Sequence, residues 1–307
     1  MRNTNKAVFC SALLSLAACG GDGADFGTAA QGDINLSITD APIDMAEAVT
    51  ITFDQVTIKP IDGSPKQLQD LESTTLNLLD YTGGASELLI NTADDADDNP
   101  VLPSGDYEWM RFHIATASIT INGSEYELEI PSGDTSGLKL NTPFTIPADG
   151  VAYYTIDFDL RHSVLGPFTK DGVLGEVFYK LKPVLRLVEN EAVGVVTGSV
   201  DSTLLASCVS DTAVYVFEGS DVDALDDIDS EAPEASLTDA DAIEPFMSVS
   251  VSPDAGDASF TFGFVPAGKY TIAFACGEDS ADVNDELVFQ SVTNIDVLAG
   301  ESTEVEL

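Results

Sequence analysis

The most restrictive feature of this sequence is a two-residue alternation of apolar and polar side chains. It is clear over residues 33–39 and returns over residues 125–130 and 153–160. A period of two is typical of half-buried β-strands, whereas an amphipathic helix repeats every 3.6 residues. Beyond the N-terminal segment, a short helix is expected only near residues 74–81 or 85–90. The sequence therefore predicts an all-β fold.

The second half of the chain has its own strand pattern. About seven short apolar segments are separated by turn residues, at 193–200, 213–217, 246–251, 258–264, 270–276, 287–292 and 303–307. Seven such strands are typical of two sheets packed face to face. A polar stretch at residues 189–192 precedes them. We therefore expect two β-sandwich domains in tandem, at residues 32–190 and 191–307.

The first residues have the features of an export signal. Arg2 and Lys6 precede an apolar run over residues 8–18, which is too short to span a bilayer as a helix of about 20 residues. The run ends in Leu-Ala-Ala-Cys, which resembles the bacterial lipobox. That resemblance implies a signal peptide at residues 1–18 and a diacylglyceryl group on Cys19. The alternative is a signal peptide cut elsewhere, with Cys19 as a bystander.

Residues 19–31 form the expected tether between the lipid and the first domain. They are rich in glycine and have no apolar period, so they should reach on the order of 20 Å as a flexible chain. Gly20 follows the lipidated cysteine. In Gram-negative lipoproteins an aspartate at this position signals inner-membrane retention, so the resemblance implies the outer membrane. We expect a cell-envelope protein that contacts the membrane through the lipid on Cys19.

The charge balance excludes some partners. The chain has 53 acidic residues against 12 lysines and arginines, a formal net charge of -41. Such a surface repels the phosphates of nucleic acids and anionic headgroups, so no nucleic-acid partner is expected. Hydrophobic residues make up 44% of the chain, which is ample for a core.

The basic residues are unevenly distributed between the expected domains. After residue 190 the sole base is Lys269, whereas five bases lie near the end of the first domain: Arg161, Lys170, Lys180, Lys182 and Arg186. The acids could be solvated loops, with the bases neutralising their neighbours. Alternatively, the basic strands of the first domain dock onto the acidic second domain.

Cysteine usage predicts one disulfide. Cys10 leaves with the signal peptide and Cys19 carries the lipid, so Cys208 and Cys276 remain in an exported chain. Their pairing would close a long loop and contribute roughly 4 kcal/mol on the chain-entropy model. Two separate buried thiols are the alternative.

Two acidic loops are candidates for calcium binding, although the first expectation is that the chain has no cofactor. Carboxylates in a flexible exported loop suit Ca²⁺. The candidate ligands are Asp94, Asp95, Asp97, Asp98, Asp221, Asp223 and Asp227. The second run, at residues 221–231, also supplies Asp226, Asp229 and Glu231. Neither loop matches the EF-hand pattern. Clusters of this kind can equally be solvated loops.

Several separated motifs carry a resemblance to a known family. The stretches 32–44, 76–80, 102–107, 131–133 and 157–161, with the closing strand at 179–186, are similar in sequence and order to the bacterial domain of unknown function 4382. The resemblance covers residues 32–190. It implies an exported, lipid-anchored β-rich domain and brings no catalytic residues.

A second, shorter resemblance lies in the C-terminal domain. The sequence Val-Pro-Ala-Gly-Lys-Tyr-Thr-Ile at residues 265–272 resembles the Pro-x-Gly-x-Tyr-Thr turn of carboxypeptidase-regulatory-like, transthyretin-type sandwiches. In those domains the glycine permits a tight turn and the tyrosine packs at the sandwich edge.

These observations favour a non-catalytic binding or structural module, with an envelope protein or a polysaccharide as candidate partner. The alternative is an enzyme or accessory protein acting on extracellular polysaccharide. An enzyme would gather ionisable groups into one pocket: Asp40, Asp157, Asp159, Arg161 and His162. Asp157 and Asp159 share a strand face, but we expect both to point into solvent. The chain has no Gly-x-Ser-x-Gly motif and no His-x-x-His pair.

Overall fold

The computed structural model describes residues 30–41, 43, 46–93, 102–131, 137–170, 175–208, 211–233, 242–251, 258–285 and 287–307. These residues form β-strands with a few short helical turns, so the predicted all-β fold is confirmed. A 3-10 helix at Leu78–Tyr81 falls within the first expected helical segment. The second expected helical segment instead contains strand Glu87–Asn91. The signal peptide, Cys19 and the tether up to residue 29 lie outside the described residues.

The N-terminal half contains thirteen strands. They are β1 (Gln31–Ala41), β2 (Ala48–Pro60), β3 (Lys66–Asn77), β4 (Glu87–Asn91), β5 (Leu102–Pro103), β6 (Gly105–Ile121), β7 (Ser124–Glu129), β8 (Leu138–Leu140), β9 (Phe144–Ile146), β10 (Val151–Asp159), β11 (Val164–Thr169), β12 (Val177–Leu181) and β13 (Val184–Glu189). A four-residue helix, α1 (Leu160–Ser163), joins β10 to β11.

These strands form two sheets. The first is ordered β13-β10-β1-β4, with β5 paired to the start of β1; the second is ordered β11-β12-β7-β6-β2-β3, with β8 and β9 paired to β6. The alternating apolar side chains of both sheets meet in one core. On β1, for example, Ile34, Leu36 and Ile38 are each at most 1% exposed. The period of two thus buries one face of each strand.

The C-terminal half contains seven strands. They are β14 (Val193–Ser199), β15 (Thr212–Glu218), β16 (Met247–Ser250), β17 (Ser259–Pro266), β18 (Gly268–Cys276), β19 (Phe289–Val297) and β20 (Ser302–Glu306). Each overlaps one of the seven predicted segments. Sheets β17-β14-β20 and β16-β15-β18-β19 share a second core. Two short helices complete this half, a 3-10 turn at Asn190–Ala192 and α2 (Ser202–Leu205).

Both halves contain the same tyrosine corner. The Tyr107 hydroxyl donates to the Pro103 carbonyl at 2.6 Å, and the Tyr270 hydroxyl donates to the Pro266 carbonyl at 2.8 Å. In each case the sequence is Pro-x-Gly-x-Tyr, and each tyrosine is at least 95% buried. A Cβ on Gly268 would lie 3.2 Å from the Tyr270 hydroxyl, so the glycine also makes room for the folded-back ring.

A disulfide joins Cys208 to Cys276, the pairing expected from the sequence. Cys208 follows α2 and Cys276 ends β18, where it is opposite Thr212 of β15. The bond therefore fixes the segment that leads into β15 against the neighbouring strand. None of the helices in the described ranges has the length and apolar character needed to cross a bilayer.

Candidate functional site at the domain interface

Parallel pairing of β1 with β10 brings three carboxylates to one end of the first sheet. The register pairs Thr39 with Asp157 and Asp40 with Phe158, and it ends where Ala41 meets Asp159. Asp157 and Asp159 are each 2% exposed and Asp40 is 5% exposed. The expectation that Asp157 and Asp159 face solvent is therefore wrong, because the second domain covers this end of the strands.

Arg186 on β13 connects this carboxylate group to the second domain. It lies directly across the ladder from Asp157, and both its Nε, at 3.1 Å, and its Nη2 donate to Asp157 Oδ2. Its Nη1 donates to the carbonyl oxygen of Phe246, and its guanidinium lies 4.2 Å from the centre of the Phe246 ring. One side chain thus satisfies a buried charge in one domain and contacts backbone and ring of the other.

His162 on α1 makes a second charge pair. Asp159 caps the helix, because its Oδ1 accepts from the His162 backbone N–H at 3.2 Å, and its Oδ2 lies 2.9 Å from His162 Nδ1. Glu244 of the second domain approaches His162 Nε2 at 4.0 Å. Burial alone would lower the pKa of His162, but Asp159 and Glu244 raise it above its usual range. Burial likewise opposes ionisation of Asp159, yet His162 and Arg186 lower its pKa.

This pair predicts a pH-dependent stability. Replacing His162 with glutamine should destabilise the protein more at about pH 6 than at about pH 9. The folded-state pKa of His162 is raised, so its contribution is complete below the unfolded value of about 6.5 and is lost as pH rises through the folded value. Asp159 has a lowered pKa and stays ionised throughout this window. Urea unfolding of both proteins at the two pH values measures the difference.

The double variant provides the control for this prediction. In an Asp159→Asn background the extra loss caused by His162→Gln at the lower pH should shrink, because the nearer of the two partner charges is gone and only Glu244 remains. If the difference in unfolding free energy between the wild type and His162→Gln did not change with pH, the raised pKa assigned to His162 would be contradicted.

An acidic cleft opens beside Arg161, where α1 and β11 meet the second domain. Its volume is about 160 Å³, and its acidic lining consists of Asp211, Glu278, Asp279 and Asp282. Arg161 is 3% exposed, and its Nη2 donates to the Ser250 hydroxyl at 2.9 Å. Burial raises the pKa of Asp279 to about 6, although Arg161 opposes this effect.

The hypothesis that bases of the first domain dock onto the second is confirmed for three of the five residues. Arg161 and Arg186 make the contacts described above, and Lys182 pairs with Glu231. By contrast, Lys170 pairs with Glu127 and Glu176 of its own domain. The fifth base, Lys180, lies over the rings of Phe168 and Phe178.

Apolar and backbone contacts extend the interface. Leu165 of β11 packs in a buried cluster with Ala213, Tyr215 and other residues of the second domain. Near Thr39 and Asp157, a backbone turn of the first domain meets β17 so closely that a Cβ on Gly263 would lie 2.3 Å from the Cα atom of Gly84. The two halves are therefore packed against each other by side chains and by backbone.

The five ionisable residues that an enzyme would need are brought to this interface, but in separate contacts. Asp157 and Asp159 are paired with Arg186 and His162, and Arg161 lines the cleft. Asp40 lies with Asp157 beside the two glycines, around a space of about 20 Å³ that is large enough only for water.

The calcium candidates are divided among three environments. Asp94, Asp95, Asp97 and Asp98 lie outside the described residues. Asp221 and Asp223 are exposed, and Asp221 exchanges hydrogen bonds with Asn294. Asp227 is 2% exposed and belongs to two groups of three carboxylates, one with Asp226 and Asp229 and one with Asp279 and Asp285.

Comparison with known families identifies the first half. Residues 31–183 match the family model described as a domain of unknown function, DUF4382. The N-terminal half of the chain, which carries this match, is similar to that family and is named the DUF4382 domain for it. No curated protein matches the sequence. The family match ends before Arg186, although β13 is part of the first sheet of the DUF4382 domain.

Solved structures resemble the chain only remotely. A leucine-rich repeat protein from Bacteroides thetaiotaomicron is 11% identical, covering 90% of this chain and 26% of that protein, with a TM-score of 0.20. The TIE protein of Bacillus anthracis is 8% identical, covering 91% and 33%, with a TM-score of 0.18. The minor pilin of Streptococcus agalactiae is 10% identical, covering 89% and 94%, with a TM-score of 0.19. This chain thus spans about a quarter and a third of the first two proteins, and scores this low support no functional inference.

The acidic run at residues 221–231 predicted that Asp226 and Asp229 lie near Asp227. Sequence analysis missed Asp279 and Asp285, which lie about fifty residues later. Their position beside Asp227 depends on the approach of the loop after β18, which no local pattern reveals. Sequence analysis also missed that charges of the DUF4382 domain are buried by the second domain.

Proposed function

We propose that this chain is a lipid-anchored cell-envelope protein, held by a diacylglyceryl group on Cys19, in which both domains act together as a non-catalytic structural or binding module. The proposal rests on the observation that the charged residues at the interface are paired with one another. Asp157, Asp159 and Arg186 are each at least four-fifths buried and are committed to partners. The two carboxylates pair with Arg186 and His162 of their own half, and Arg186 also donates to the Phe246 carbonyl of the other half. Groups paired in this way are poorly placed for acid–base chemistry on a polysaccharide.

The anchor is tested by metabolic labelling. Radiolabelled palmitate should enter the full chain, and a Cys19→Ser variant should lose the label and leave the membrane fraction. A Cys10→Ser variant is the matched control, because Cys10 lies in the segment that the signal peptidase removes. Unlabelled wild-type protein, or label that persists in Cys19→Ser, would overturn the anchor.

The non-catalytic part of the proposal has its own test. The acidic cleft contains Asp279, whose pKa is raised to about 6. A carboxyl group with a pKa in this range could act as a general acid near neutral pH. Incubation of the full chain with extracellular polysaccharides should release no new reducing ends. Release that disappears in an Asp279→Asn variant would replace the proposed module with a hydrolase.

A further inference from the structure

Two loops of the second domain are tied together by carboxylates and backbone groups. The Ile228 N–H donates to Asp279 Oδ1 at 3.0 Å, and the Asp285 N–H donates to Asp227 Oδ2 at 2.6 Å. The Glu231 N–H donates to the Ala281 carbonyl at 2.8 Å. These contacts fix the positions of several acids that belong to distant parts of the sequence.

Within this arrangement, Asp226, Asp227 and Asp229 form a compact group. One carboxylate oxygen from each lies within 4.8 Å of an oxygen from the other two. Asp227 is 2% exposed and Asp229 is 5% exposed, although acidic side chains are ordinarily exposed to water. Asp226 is half-buried. Three carboxyl groups are therefore held close together, and two of them are removed from solvent.

Asp229 is the uncompensated member of the group. Its Oδ2 is buried and has no hydrogen-bond partner in the part of the chain that the structure describes. In the same part of the chain, no lysine, arginine or histidine nitrogen lies within 4.0 Å of any of the three carboxylates. A buried carboxylate is ordinarily paired, hydrogen-bonded or bound to a metal.

We propose that Asp226, Asp227 and Asp229 bind a calcium ion. Calcium is held by oxygen ligands at about 2.3–2.6 Å, so two ligands on opposite sides of the ion are separated by up to about twice that distance. Three oxygens within 4.8 Å of one another satisfy this condition. Magnesium requires near-ideal octahedral geometry at about 2.0–2.1 Å and is usually held by only one or two carboxylates, so a group of three favours calcium.

The neighbouring group, which shares Asp227, is the weaker candidate. Asp279 accepts from the Ile228 N–H and feels the positive charge of Arg161, and Asp285 accepts from the Ser280 N–H at 2.8 Å. Asp279 Oδ2, like Asp229 Oδ2, is buried and has no hydrogen-bond partner in the described residues. The positive charge of Arg161 nevertheless opposes the raised pKa of Asp279, whereas no basic residue of the described ranges has this effect on Asp226 or Asp229.

Calorimetric titration of the full chain with Ca²⁺, after removal of divalent ions, tests the proposal. One ion per chain should bind with a Kd on the order of 0.1–1 mM, the range of extracellular calcium modules, and more tightly than Mg²⁺. Asp229→Asn and Asp227→Asn should each weaken binding at least tenfold. Asp223→Asn is the matched control, because it makes the same change at an exposed position of the same acidic run and should bind like the wild type.

Thermal unfolding separates binding from folding in these variants. At a Ca²⁺ concentration about ten times Kd, the wild type should gain roughly 3–5 °C in Tm, and Asp229→Asn should gain none. Without Ca²⁺, Asp229→Asn should be at least as stable as the wild type, because the substitution removes a buried charge from a repulsive group.

Three results would overturn the proposal. The first is the absence of binding by the wild type at millimolar Ca²⁺. The second is unchanged binding in a folded Asp229→Asn variant, which would move the ion to another acidic loop. The third is binding that Asp279→Asn abolishes and Asp229→Asn does not, which would assign the ion to the neighbouring group.

Discussion

Replacing Arg186 with methionine is expected to cost about 3–5 kcal/mol of unfolding free energy, the loss typical of breaking a buried ion pair. Asp157 is 2% exposed, and burial raises its pKa although Arg186 opposes this effect, so without Arg186 its carboxyl must either stay charged without a partner or take up a proton. The contacts with the carbonyl and ring of Phe246 would be lost at the same time. Urea unfolding should report the free-energy change, and small-angle X-ray scattering should show a larger radius of gyration as the domains separate.

Two variants make this prediction specific. The double variant Asp157→Leu/Arg186→Met should recover most of the loss, because it removes both charges and leaves apolar groups in a buried place. Lys180→Met is the matched control, since Lys180 contacts rings of its own domain. Equal destabilisation by Lys180→Met and Arg186→Met would show that general charge, rather than the Arg186 contacts, stabilises the interface.

Removal of the disulfide by the Cys208→Ser/Cys276→Ser double substitution should cost about 4 kcal/mol on the chain-entropy model, because the bond closes a loop with a sequence separation of 68 residues. The cost should fall on the second domain, where both cysteines contact the core. Unfolding in urea with and without reductant should reproduce the same loss in the wild type.

Amide hydrogen exchange locates the effect of this change. Protection should fall in β15 and β18, which the disulfide connects, while the core of the DUF4382 domain keeps most of its protection. An equal loss in both domains would contradict this localisation and would indicate that the two halves unfold as one cooperative unit.

The strands were predictable because their side chains alternate locally. All seven segments expected in the second half overlap a strand, since each was marked by apolar residues between turn residues. The environment of Asp157 and Asp159 was not predictable in the same way. Their alternation with apolar residues on β10 is identical whether the polar face meets water or a second domain. Burial of that face depends on how the domains pack, which is a property of the whole chain.

The distribution of charge in the sequence predicted the contact between the domains only in part. Bases concentrated near the end of the first domain, before a second domain with one base, left docking open as the alternative to solvated loops. The pattern could not identify the contacting bases. Lys180 lies within β12 and Lys182 just beyond its end, and their different partners follow from the tertiary packing. Asp279 and Asp227 are 52 positions apart, so their proximity follows from tertiary contacts alone.

The touching backbones at Gly84 and Gly263 have a consequence for the long-range geometry of the molecule. A contact without side chains leaves no flexible group between the domains, so a methyl added at Gly263 must push the two backbones apart. A tilt at a fulcrum produces a displacement that grows with distance from it. The orientation of the far tip of one domain relative to the other is therefore sensitive to the smallest residues in the chain.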